Sequence, residues 1–67
     1  MKKMLRDHVY DLMAQLVEES QSLWRIKNTY KTDSVGCNEC LEFWEKLEKD
    51  KEQHIADLRE LIKNHLK

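Results

Sequence analysis

An all-α fold, laid out as an antiparallel two-helix hairpin, is what three features of these residues predict. Pro is absent and Gly occurs once in 67 residues, so almost nothing punctuates the chain. Good helix formers (Leu, Glu, Lys, Gln, Met, Ala) dominate. Apolar side chains recur at alternating steps of four and three along two long stretches, the period of one helix face, with a single polar break between them.

The first helix is predicted over about residues 3–31, with a seam of Leu5, Val9, Leu12, Leu16, Glu19, Leu23, Ile26 and Tyr30. The break falls at about residues 32–36. There Thr32, Asp33 and Ser34, whose short polar side chains bond to backbone and favour turns and caps, precede Gly36. A second helix over about residues 37–66 carries the seam Cys40, Trp44, Leu47, Lys51, His54, Leu58, Leu61 and His65.

At ~1.5 Å per residue each helix is ~42 to 45 Å long, and so short a connection makes them antiparallel neighbours. Two such rods cannot enclose a core. Met13, Val17 and Trp24 on the first helix, and Leu41, Phe43, Ile55 and Ile62 on the second, widen each apolar stripe beyond a two-stranded seam. A single small domain of this size needs help to be stable. The chain is therefore expected to pair with itself, as a homodimeric four-helix bundle or a higher ring of hairpins.

Charged residues form 37% of the chain but nearly cancel, at net −1. No basic field is available to draw nucleic acid, and no polybasic patch to draw a membrane. No apolar run approaches the ~20 residues of a bilayer span. The start, Met1-Lys2-Lys3-Met4-Leu5-Arg6-Asp7-His8, lacks the apolar stretch and cleavage site of a secretory signal, so a cytoplasmic location is expected. No Ser-His-Asp logic, phosphate-cradling Gly loop or acid pair at a cleft points to a hydrolase or a nucleotide enzyme.

The chemistry lies where polar residues interrupt the seams. Glu19 is the one charge in the first seam, near the middle of the hairpin, and a buried carboxylate costs several kcal/mol, on the order given for effective burial, unless a cation, proton or metal compensates it. In the second seam the exceptions are Lys51 and His54, and counting rise outward from the loop sets Glu19 level with Glu48 to Lys51. Two readings are open. Glu19, Glu48 and His54, doubled by two-fold symmetry, are the raw material of a metal site. Alternatively Lys51 pairs with Glu19 across the hairpin, and His54 is satisfied by a carboxylate or water.

The run Glu18-Glu19-Ser20-Gln21-Ser22 with Arg25 resembles the first metal-ligand helix of rubrerythrins. The run Asp50-Lys51-Glu52-Gln53-His54-Ile55-Ala56-Asp57-Leu58 resembles their second, whose mark is Glu-x-x-His before a Leu-rich helix. The separation of Glu19 from His54 also suits one half-bundle of the encapsulated ferritins. The resemblance to this ferritin-like superfamily implies Glu19 and His54 as ligands of iron or another divalent metal, and iron storage or oxidation as the activity. The chain departs from the pattern at Lys51, which stands where the family has its Glu, and at Ile26, which stands for its Tyr. A protonated lysine cannot ligate, so the di-metal site that the resemblance implies is altered or lost unless Glu48, Asp50 or Glu52 substitutes with a shifted register.

Cys37 and Cys40 open the second helix, where the macrodipole and free N–H groups favour thiolate. A reversible disulfide, half of an intermolecular metal site and a plain packed pair all suit this spacing. Trp24, Tyr30, Phe43 and Trp44 are expected to pack together toward the loop, with His8 and His65 at the opposite end. Two further functions stand beside the metal reading: a metal-free helical interaction or dimerisation module, and a Cys-x-x-Cys thiol redox protein.

Overall fold

The computed structural model describes residues 7–66; Leu5 and the expected helix start near residue 3 lie outside them. Helix α1 spans Asp7–Arg25 and continues without a break through a π-helical turn, Ile26–Tyr30, and a last short turn α2, Lys31–Asp33. After the loop, α3 spans Asn38–His65. The two rods run antiparallel, and their far ends meet where the His8 and His65 rings pack edge to face at 5.1 Å.

The π turn is not foreseeable from the apolar period, which reads through it unchanged. Its wider winding shows in the Lys31 N–H, which donates to the Ile26 carbonyl five residues back. The Asn28 side chain donates at 2.9 Å to the Trp24 carbonyl, the competition with backbone bonding for which Asn is a poor helix former.

The helix ends just after Asp33. Ser34 N–H bonds back to the Tyr30 and Lys31 carbonyls at 3.1 and 3.2 Å. Gly36 then turns the chain at φ +99°, a conformation that L side chains rarely adopt. The N-cap of α3 is Cys37, extended at φ −120° and ψ 93°, rather than one of the hydroxyl or carboxylate residues of the break. Trp44 Nε1 donates to Ser34 Oγ at 3.0 Å and ties the loop to α3.

The first seam lies against α3 as its period predicts: Val9 and Ile26 are buried, and Leu12, Leu16, Leu23 and Tyr30 are half-buried. The second is turned by about one residue. Leu41, Trp44, Glu48, Lys51, Ile55, Leu58 and Ile62 face α1, whereas Cys40, His54, Leu61 and His65, expected in the seam, are exposed. The reason is packing: the stripe on α3 is wider than one neighbour can cover, and contact settles on the edge that carries Leu41, Ile55 and Ile62.

The aromatic cluster is also smaller than expected. Tyr30 and Phe43 pack on Trp44 at 4.9 and 5.2 Å, but Trp24 is 62% exposed. One residue past the inward Leu23, it falls on the outer side of α1.

The result is a thin slab of 48 × 22 × 14 Å with a radius of gyration of 15.2 Å, against about 11 Å for a compact chain of this length. Among the described residues only Val9, Ile26 and Ile62 are buried apolar side chains. No described helix is long and apolar enough to cross a membrane.

Candidate functional site

The polar layer sits midway along the hairpin and is centred on Glu19, which is only 6% exposed. Glu19 projects from the inner face of α1, between Leu16 and Leu23. Lys51 and His54, one turn apart on α3, reach it from across the interface. Lys51 Nζ donates to Glu19 Oε2 at 2.6 Å. His54 Nδ1 lies 2.6 Å from the other oxygen, Oε1.

Electrostatics fixes the protonation of this group. The hydrogen bond from the Lys51 ammonium holds the Glu19 carboxyl below its usual 4.5; burial opposes this, and the bond from His54 adds to it. Glu19 is therefore ionised at neutral pH and can only accept, so His54 carries its proton on Nδ1. The layer sets one carboxylate against one ammonium, with the imidazole N–H on the second oxygen. Both carboxylate oxygens are engaged, which is the condition under which a buried charge is tolerated.

Of the candidate metal residues, Glu19 and His54 are brought together, while Glu48 is drawn away to Lys31, whose Nζ donates to it at 3.1 Å. Among the described residues no group of three or more His, Cys, Asp or Glu side chains is placed to hold a metal ion. As arranged, the layer offers a divalent ion two ligand-capable side chains and an ammonium where a third would be needed. That donor set does not fit such an ion.

Set beside protein families, curated proteins and solved structures, the chain matches none of them. Glu52, on the outer side of α3, meets Lys27 at 3.4 Å with both side chains nearly half exposed, a pair that contributes little.

The second constellation is at the loop end. Cys37 and Cys40 are joined in a disulfide, with Cys37 half-buried and Cys40 exposed. Cys37 Sγ accepts a hydrogen bond from the Cys40 N–H at 3.2 Å, so the N-cap sulfur is held by the helix that it caps.

Sequence reasoning missed the Lys31–Glu48 pair and the Trp44–Ser34 bond. The signal for both was present: Lys31 and Ser34 sit within a turn of the hairpin tip, opposite the polar and aromatic residues of the first turns of α3.

Proposed function

We propose that the chain is a helical self-association module in which the Glu19–Lys51–His54 layer sets the register of the hairpin. The observation that carries this reading is surface. A compact folded chain of 8.2 kDa exposes about 4,500 Å², whereas this one exposes 5405 Å². The excess is about the ~800 Å² that each partner buries in a standard interface.

The occupant we infer is a second copy, docked along the outer face of α1. Tyr10, Val17 and Trp24 stand there at steps of seven, each half exposed or more. The positions between them on that face, Met13, Ala14, Ser20 and Gln21, carry no charge. Of the other large apolar side chains exposed among the described residues, Val35 lies in the loop, Leu66 caps the end of α3, and Phe43 and Leu61 are separated by Asp50, His54 and Asp57, which oppose dry packing.

Two α1 helices antiparallel about a dyad at Val17 would set Tyr10 against Trp24 of the second copy, and Arg25 near Asp7 of the second copy. That arrangement is self-complementary in shape and charge, as a two-fold interface must be. The polar layer would act as buried polar residues do in coiled coils, penalising slipped pairings of α1 with α3.

Sedimentation of Trp24→Glu tests this, with Phe43→Glu as the control. We expect the native chain and Phe43→Glu to run as helical dimers and Trp24→Glu to run as a monomer of reduced helicity, because folding and association are coupled. A dimer insensitive to Trp24→Glu would overturn the interface. Metal analysis of chain purified without chelator addresses the iron chemistry that the rubrerythrin resemblance implies: stoichiometric iron, zinc or manganese lost in both Glu19→Ala and His54→Ala would replace our reading.

A further inference from the structure

We propose that the Cys37–Cys40 disulfide is a thiol–disulfide exchange site, entered at Cys40 and selective for thiols carried on a cationic group. This goes beyond the self-association reading and does not depend on it. Exchange requires in-line access to one sulfur and a stabilised thiolate on the other. The two cysteines divide these roles. Cys40 is exposed in the first turn of α3, whereas Cys37, its N-cap, is half-buried. Cys37 caps the helix and its Sγ already accepts the Cys40 N–H. A negative charge that develops on Cys37 Sγ therefore meets that N–H and the positive end of a 28-residue helix.

In the first step an incoming thiolate bonds to Cys40 Sγ, the Cys37–Cys40 bond breaks, and its electron pair leaves on Cys37 Sγ as a thiolate. The product is a mixed disulfide on Cys40. A second thiol of the same class then attacks the mixed disulfide at the sulfur of the first. This releases Cys40 as a thiolate and the reductant as its own disulfide. Two electrons pass from two external thiols to the cysteine pair, and the protons the thiols lose are taken up by Cys37 and Cys40.

The surroundings select the reductant. Glu39 adjoins Cys40 and Glu42 lies two residues on, round the helix from it, both exposed, while the exposed Glu45 and Lys46 a turn further on offset each other. Lys31, the cation at the end of the first rod, is committed to Glu48. An anionic thiol is repelled and a cationic one drawn in, with an effect that salt screens. Phe43, 57% exposed and one turn on from Cys40, adds an apolar surface beside it.

The test uses the oxidised full chain with cysteamine as the cationic probe and mercaptoacetate as the anionic one. The reaction is stopped with excess N-ethylmaleimide, and peptide masses locate the adduct. We expect cysteamine on Cys40 with maleimide on Cys37, in excess over the opposite arrangement by about tenfold, as follows when one sulfur is accessible and the other is the better leaving group. We also expect cysteamine to react severalfold faster than mercaptoacetate at low salt, with the difference shrinking as salt is raised. Equal adducts on the two cysteines, a majority on Cys37, or a native disulfide inert to thiols that reduce it in urea would each overturn the assignment. In Glu39→Gln/Glu42→Gln, which leaves both sulfurs in place, the preference for cysteamine should fall; an unchanged preference would remove the charge selectivity.

Discussion

Glu19 is a carboxylate whose ionisation is tied to the fold. Its folded value lies below the ordinary 4.5, chiefly through the bond from Lys51. The native state therefore binds its proton less readily than the unfolded chain does. The stabilisation is complete above that ordinary value and is lost as pH falls through the depressed one. We expect urea stability of the native chain to decline with acidification across that window, and the decline to be shallower in Glu19→Gln. Equal slopes in the two proteins would show that other groups carry the acid sensitivity.

The pair is also asymmetric to deletion. Lys51→Ala leaves a buried carboxylate with His54 alone and should cost about 1–3 kcal/mol. In Glu19→Leu the freed Lys51, whose side chain is 20% exposed, can turn to water, and the change should be near neutral or stabilising. Urea midpoints at unchanged slope measure both. This layer was legible in the sequence because Glu19 is the lone charge in an apolar seam, and rise from the loop set it level with Lys51. The exposure of His54 was not, because a period of 3.6 leaves the rotation of a wide stripe open by a residue either way.

At the level of elements, the break between the helices is where local chemistry decides most. Gly36 has a positive φ, and open space surrounds the position that a Cβ would take, with nothing within 4 Å. Gly36→Ala should therefore cost about 1–2 kcal/mol from backbone conformation alone, without a clash. Thermal or urea unfolding would show it, and an unchanged midpoint would mean that the loop relaxes freely.

Both helices and the position of the turn could be read from periodicity and from the absence of Pro. The π turn could not, because the seam steps through Leu23, Ile26 and Tyr30 fit either winding. Nor could the N-cap. Thr32, Asp33 and Ser34 have the better capping chemistry, but α2 runs on through Asp33 and the turn at Gly36 hands the cap to Cys37.

The whole molecule is a slab 14 Å thick in its shortest direction, little more than one helix with its side chains. A hairpin of this kind has an inside only along one line, and three buried apolar side chains among the described residues are a thin core to set against the ordering of the chain. Width of stripe, legible in the sequence, is the feature that points to a further neighbour. Which edge of each stripe the hairpin uses itself, and which it leaves open, emerged only from the packing of α3. If copies complete one another, stability rises with concentration, because folding and association share one equilibrium. Sedimentation equilibrium at micromolar concentration, with helicity checked by circular dichroism, tests this most directly: we predict a helical species of twice 8.2 kDa, and a fully helical, cooperatively melting species of 8.2 kDa would contradict it.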